Sequence, residues 1–135
     1  MDPRVSLKEP DSDKNVVVLL NRDLMLAVSI TNTAKALGFT VDRVQSTTDL
    51  IERLDSGRES VALVIIDMNL DIAWDEVGEM MQSGQALPPV LGFGPHVDID
   101  GRRAAKKAGL TRIVSNGEFH RDMAALITRY ARSEP

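Results

Sequence analysis

The stretch Val61-Ala62-Leu63-Val64-Ile65-Ile66-Asp67 decides the fold prediction for this chain of 135 residues. Six consecutive apolar residues, most of them β-branched, are typical of a strand that is covered on both faces in a parallel sheet. The run stops at Asp67, and in open α/β sheets ligands bind just beyond the carboxyl ends of the strands. Asp67 is therefore the first candidate for a functional residue.

Strand-like and helix-like segments alternate on both sides of this run. Strands are predicted at 15–20, 39–44, 61–67, 89–93 and 112–114. Helices are predicted at 23–37, 46–54, 73–82, 98–108 and 115–130. Ser46 and Ser115 each stand three residues before an acidic residue, as in a capping box, and Gly38 and Gly109 follow helices as stop signals. This alternation predicts an α/β fold with one parallel sheet and right-handed connections.

The chain is predicted to be one domain with short ends. Residues 1–14 contain two prolines and mixed charges and are expected to be a flexible lead-in. Residues 15–132 are expected to form the domain and residues 133–135 a tail, with no output domain expected to follow. The chain has no cysteine, which excludes disulfides and thiolate metal sites. Neither a signal peptide nor a membrane-spanning stretch is found, so a cytoplasmic location is expected.

Basic residues are concentrated toward the C-terminus. Residues 101–135 hold eight basic and three acidic residues, a net charge of +5, whereas residues 1–100 hold eight basic and 17 acidic residues, a net charge of −9. This asymmetry predicts a basic face that meets an acidic partner. Nucleic acid is disfavoured as that partner, because the basic residues are dispersed and aromatic residues make up 4% of the chain.

The chain resembles a response-regulator receiver (CheY-like) domain over about residues 15–132. The resemblance rests on the strand–helix rhythm, on Asp67 at the end of the third strand, on Leu37-Gly38-Phe39-Thr40-Val41 at the entry to the second strand, and on Ala108-Gly109 before the fifth. It implies a flavodoxin-like (βα)5 fold with the strand order 2-1-3-4-5 and helices on both faces of the sheet.

The resemblance also implies a chemistry, the transfer of a phosphoryl group from a histidine kinase to the aspartate of the third strand. That reaction needs an acidic pair after the first strand to hold Mg²⁺, a Ser or Thr after the fourth strand, and a Lys after the fifth. Asp67 is kept. The other required positions are taken by Asn21, Arg22, Gly94 and Asn116. The chain is therefore predicted to be a pseudo-receiver, which is not phosphorylated and uses no cofactor.

Arg22 weighs most against phosphorylation. A guanidinium beside Asp67 would form a charge-assisted bond and would put a permanent positive charge where Mg²⁺ should bind. Asp23 offers a replacement carboxylate only if the first strand ends one residue later. Asp67 is then expected to have a structural role, as a helix cap or as a partner of Arg22 or Asn116.

The segment 92–98, Gly-Phe-Gly-Pro-His-Val-Asp, leaves the fourth strand next to Asp67. Its glycines would let a ligand approach the backbone, and His96 with Asp98 could form a switchable pair. A metal site here would need a third ligand, with Asp67 or His120 as distant candidates. The simpler interpretation is a tight turn in which Asp98 caps the next helix.

These features, with the resemblance, predict a regulatory protein that binds another protein and is not an enzyme. The resemblance implies that a stand-alone receiver binds its partner through the fourth helix, the fifth strand and the fifth helix. The basic residues of that face are Arg102, Arg103, Lys106, Arg112 and Arg121. A homodimer through the same face is a further possibility.

Three alternatives stay open. The chain could be phosphorylated on Asp67 with Mg²⁺ held by unconventional ligands. It could be a sensor that binds a small ligand at the Gly94-Pro95-His96 loop. It could also have a minor enzymatic activity at Asp67 and His96.

Overall fold

The computed structural model describes residues 14–132. The predicted lead-in, apart from Lys14, and the predicted tail at 133–135 lie outside the described residues. The sheet has five strands, β1 (Val16–Leu20), β2 (Thr40–Val44), β3 (Val61–Asp67), β4 (Val90–Gly94) and β5 (Arg112–Ser115). All neighbouring strands are parallel and their order is β2-β1-β3-β4-β5, so the predicted fold class and strand order are confirmed.

Five helices connect and follow the strands. They are α1 (Leu24–Ala36), α2 (Thr47–Gly57), α3 (Trp74–Met81), α4 (Ile99–Ala108) and α5 (Asn116–Ala131). Helix α2 runs three residues past its predicted end at Leu54, and a 3₁₀ turn (Arg58–Ser60) then leads into β3. Within residues 14–132, no helix is both long enough and apolar enough to cross a lipid bilayer.

The third strand is buried along its whole length because helices cover both faces of the sheet. Leu63 and Ile65 pack in the core formed with α1 and α5, whereas Val64 and Ile66 pack in the core formed with α2, α3 and α4. Side chains that alternate between two apolar cores explain why this strand has an uninterrupted apolar sequence. The strand ends at Asp67, which is 3% exposed.

Side-chain caps begin four of the helices at the carboxyl edge of the sheet. In each case the cap accepts a hydrogen bond from the backbone N–H three residues later, which satisfies a donor that the first helical turn leaves free. The caps are Asp23, Ser46, Asp98 and Ser115. The caps predicted at Ser46 and Ser115 are thus confirmed. Gly109 ends α4 with φ of 104°, a left-handed conformation that favours glycine.

Candidate functional site

The residues at the ends of four neighbouring strands form a row at the carboxyl edge of the sheet. Asn21 follows β1 and lies beside Asp67, because Leu20, the last residue of β1, pairs with Ile66, the residue before Asp67 in β3. Gly94 ends β4, which pairs with β3 on its other side, and Asn116 follows β5. The fold therefore brings Asn21, Asp67, Gly94 and Asn116 to one edge, which is the candidate site.

Asp67 is held by the residue two positions later. Its Oδ1 atom accepts a hydrogen bond of 2.9 Å from the backbone N–H of Asn69 and one of 2.7 Å from Nδ2 of the same residue. A buried carboxylate is costly unless such donors satisfy it. Local amide donors of Asn69 therefore stabilise Asp67, in place of the expected helix cap or pair with Arg22 or Asn116.

Asn69 also connects Asp67 to the start of α5. Its Nδ2 atom donates to Oδ1 of Asn116 over 3.0 Å, and Nδ2 of Asn116 donates back to Oδ1 of Asn69 over 3.1 Å. An ionised carboxylate can only accept hydrogen bonds, so the Asn69 amide must turn its nitrogen, the donor, toward Asp67. Among the described residues, Asp67 does not pair directly with Asn116 as expected, and the two are connected only through Asn69, which the sequence interpretation did not include.

Arg22 does not contact Asp67, and that prediction is wrong. Its side chain is exposed and its Nε atom donates to the backbone oxygen of Gln45, 3.2 Å away in the β2–α2 loop. The physical reason is that Asn21, which is fully buried, takes the inward position after β1. The next residue is turned outward, toward the neighbouring loop.

The cation that approaches the β1 end of the site is Arg43 of β2. Its Nε atom donates to Oδ1 of Asn21 over 2.8 Å, and its Nη2 atom donates to the backbone oxygen of Arg22 over 3.2 Å. Arg43 pairs with Leu19 in the adjacent strand, so its long side chain reaches the turn that follows β1. One sequence signal indicates this contact: Arg43 is a basic residue one position before the end of β2, the strand that pairs with β1.

Asp23 begins α1 and does not replace the missing acidic pair. Its Oδ1 atom accepts from the backbone N–H of Leu26 over 3.1 Å, and its backbone oxygen accepts from Nδ2 of Asn21 over 2.8 Å. The first strand ends at Leu20, with the backbone N–H of Asn21 bonded to Val44, so the strand end does not shift to bring Asp23 inward.

The residues at this edge do not fit Mg²⁺ in the manner of a receiver. Mg²⁺ prefers several oxygen ligands in octahedral geometry, with carboxylates to balance its charge. Here Asp67 supplies the carboxylate, while the amide oxygen of Asn21 already accepts from a guanidinium. No group of three acidic, histidine or cysteine side chains is close enough to hold a metal ion among residues 14–132.

Gly94 stands where a receiver has a Ser or Thr, and this position has no room for a side chain. A Cβ atom on Gly94 would lie 2.9 Å from Cβ of Met68, the residue after Asp67. Contacts below 3.0 Å are not tolerated without movement, and the obstacle here is close to the backbone rather than at the end of a flexible side chain. Gly94 therefore allows β3 and β4 to approach each other at the site.

In the β4–α4 loop, the structure supports the simpler interpretation. Oδ1 of Asp98 accepts from the backbone N–H of Gly101 over 2.9 Å, so Asp98 is the cap of α4. His96 is exposed and forms no ion pair with Asp98 within the described part of the chain. His120 lies on α5, where its ring contacts Phe119 edge-on. The residues considered for a metal site, His96 and Asp98 with Asp67 or His120, do not come together among the described residues.

Four of the five basic residues predicted for the partner face line one cleft between α4 and β5. This cleft, the α4–β5 groove, has a volume of about 620 Å³, and its charged lining residues are Arg102, Arg103, Lys106 and Arg112. Its apolar lining residues are Ile99, Leu110 and Ile113. Arg121 is not part of the groove and pairs with Asp122 over 3.2 Å.

No protein-family model matches the sequence, and no curated protein sequence matches it. Solved structures do match. The receiver domain of an HD-domain-containing protein from Pseudomonas fluorescens is 13% identical, with a TM-score of 0.74 over 89% of this chain and 88% of that one. The receiver domain of a sensor histidine kinase from Pseudomonas aeruginosa, which has a magnesium ion coordinated in its active-site cleft, is 14% identical, with a TM-score of 0.72 over 88% and 98% of the two chains.

A third similar structure is an orphan response regulator of H. pylori, which is 19% identical, with a TM-score of 0.67 over 84% of this chain and 91% of that one. At these identities the similarity concerns the fold. The chain has the fold of response-regulator receiver domains, as the resemblance in its sequence implies.

Proposed function

We propose that this protein is a receiver-like regulator that acts by binding another protein, without enzymatic activity and without Mg²⁺-dependent phosphorylation of Asp67. The observation that carries the proposal is the hydrogen bond from Arg43 to Asn21 at the end of β1. In a receiver, this position supplies carboxylates for Mg²⁺. Here it supplies a neutral amide whose oxygen faces a guanidinium.

The electrostatics at this edge support the proposal. A phosphoryl group on Asp67 would add negative charge that a receiver offsets with Mg²⁺ and a lysine. In this chain Asn116 stands at the lysine position, and the Asn69–Asn116 pair has no net charge. One oxygen of the buried carboxylate, Oδ1, already accepts two hydrogen bonds from Asn69, which favours a structural aspartate over a reacting one.

The α4–β5 groove supports binding of an acidic partner. Arg103 and Lys106 are exposed on successive turns of α4, and the half-buried Arg102 lines the groove with them. Self-association through this groove would bring these cations against their own copies, and such like-charge contacts are unfavourable. We therefore favour an acidic partner over the homodimer.

The experiment is affinity capture with charge-reversed variants of the full chain. Arg103→Glu combined with Lys106→Glu changes two exposed groove residues, whereas Lys107→Glu alters the adjacent residue, which lines the cleft between α3 and α4 instead. Partners that bind the groove should be captured by the wild type and by the Lys107 variant, and lost with the double variant. Unchanged capture by a folded double variant would contradict the proposal.

A further inference from the structure

The α4–β5 groove differs from two other clefts of the domain in the sign of its charge. The cleft between α2 and α3 is lined by Asp55, Glu76 and Glu79 beside Arg58. The cleft between α3 and α4 also has acidic residues beside its lysine. In contrast, every charged residue that lines the α4–β5 groove is basic.

Most of this positive charge is not neutralised inside the protein. Arg112 pairs with Glu118 over 3.2 Å, but Arg102, Arg103 and Lys106 form no ion pair with any of the described residues. Three cations on one side of a concave surface raise the local concentration of anions. A ligand with two or three negative charges would balance them.

Arg102 has an unmet requirement for an acceptor. Its Nη1 atom is buried and has no hydrogen-bond partner among the described residues. A buried polar atom without a partner is unfavourable, and the planar guanidinium is well suited to bind phosphate or carboxylate with two parallel hydrogen bonds. Arg102 lines the groove, and a small rotation of its side chain would bring this buried atom to an anionic group bound there.

Apart from Thr111, the uncharged part of the groove wall is apolar. Ile99, Leu110 and Ile113 line it, and Ile99 is 64% exposed despite its size. A cleft of about 620 Å³ lies within the usual range for small-molecule sites, which combine apolar walls with a few oriented polar groups. The groove therefore combines a surface for a ring or an apolar body with a cluster of anion-binding cations.

We propose that the α4–β5 groove binds a small diphosphate ligand of the nucleoside diphosphate class. Arg102, Arg103 and Lys106 bind the phosphate groups, and the base or sugar covers Ile99 and Ile113. Such a ligand would compete with an acidic protein partner. This last consequence rests on the proposed function, whereas ligand binding itself does not, because it requires only the isolated chain.

The test is titration of the isotope-labelled full chain with GDP, inorganic pyrophosphate and guanosine, followed by amide NMR and calorimetry at low and high salt. GDP should bind with Kd on the order of 100 µM at low salt, pyrophosphate more weakly, and guanosine without measurable affinity. The shifted amides should be those of 99–113, and binding should weaken at high salt.

A pair of matched variants locates the site. Arg103→Gln with Lys106→Gln should weaken GDP binding about tenfold, whereas Lys107→Gln should change it by less than about twofold. The absence of GDP and pyrophosphate binding at low salt would overturn the proposal. So would equal binding by the double variant and the wild type, or binding of guanosine as tight as that of GDP. None of these results would contradict the proposed binding of an acidic protein partner, which the capture experiment tests separately.

Discussion

Nε of Arg43 donates a 2.8 Å hydrogen bond to Oδ1 of Asn21, at the edge of the sheet where Asp67 ends the central strand. Asn21 is fully buried and its amide nitrogen donates to Asp23, so both ends of this side chain are used. The turn after β1 is therefore a closed hydrogen-bonded structure that includes a permanent cation. This hydrogen bond places a neutral amide and a guanidinium at the end of β1, and the proposal of a regulator that does not use Mg²⁺ depends on that arrangement.

Replacing Asn21 alone should not create a magnesium site. In the Asn21→Asp variant the new carboxylate faces Arg43, and a charge-assisted bond with the guanidinium is stronger than the bond it replaces. Combining Asn21→Asp with Arg43→Gln removes this competitor. Only the double variant should show saturable Mg²⁺-dependent amide shifts near Asp67, with Arg43→Gln alone as the control. Equal Mg²⁺ binding by Asn21→Asp alone would show that Arg43 does not block the site.

Because Asn69 and Asn116 are hydrogen-bonded to each other, we expect the losses in unfolding free energy caused by replacing them to be coupled. Asn116→Ala removes a partly exposed pair and should lower the free energy of unfolding by about 0.5 kcal/mol. Asn69→Ala also removes the side-chain donor to buried Asp67 and should cost about 1–2 kcal/mol. Urea unfolding of both variants and of the double variant measures the coupling. The double variant should match Asn69→Ala closely, and strictly additive losses would contradict the contact.

Restoring the hydroxyl at Gly94 should destabilise the fold. In the Gly94→Ser variant the new side chain would meet Met68 at the tightest point between β3 and β4, and overpacking of this kind costs about 1–3 kcal/mol. Gly117→Ala is the control, because its Cβ would meet only Oγ of Ser115 at 4.0 Å within the first turn of α5. Thermal unfolding should show a lower Tm for Gly94→Ser than for the wild type, whereas the Tm of Gly117→Ala should not fall. A Gly94→Ser protein as stable as the wild type would refute the steric account.

Replacing Asp98 should lower the stability of the protein more than replacing His96, although both lie in the β4–α4 loop. Asp98→Ala removes the N-cap of α4 and should lower the free energy of unfolding by about 1 kcal/mol. His96→Ala changes an exposed side chain and should stay within about 0.5 kcal/mol of the wild type. Chemical denaturation of the two variants decides between a cap and a functional His96–Asp98 pair. A large loss with His96→Ala would favour the pair.

The sequence predicted the architecture well because its signals are local and repeated. The apolar run 61–66 requires cover on both faces, and Ser46 and Ser115 mark helix starts through short-range hydrogen bonds. The site was less predictable because side-chain direction at a strand end depends on the neighbouring strand. Arg22 and Arg43 are equally basic, and only the β1–β2 register places Arg43 against Asn21.

Two other features depended on three-dimensional packing. Asn69 lies two residues after Asp67, but its contact with Asn116 spans 47 positions and follows from the β3–β4–β5 arrangement. The sequence predicts that the basic residues of α4 share a face. That they form a cleft together with Ile99, Leu110 and Ile113 depends on the position of α4 on the sheet.

The most direct test of the central claim is an amide NMR titration of the full chain with Mg²⁺ and then beryllofluoride, a phosphoryl mimic. Asp67→Asn is the control. We predict no saturable shifts around Asp67, Gly94 and Asn116 in the wild type, because Asn21 stands at a metal-ligand position and its amide oxygen accepts from Arg43. Saturable shifts at these three residues that disappear in Asp67→Asn would contradict the account and establish a working phosphoryl switch.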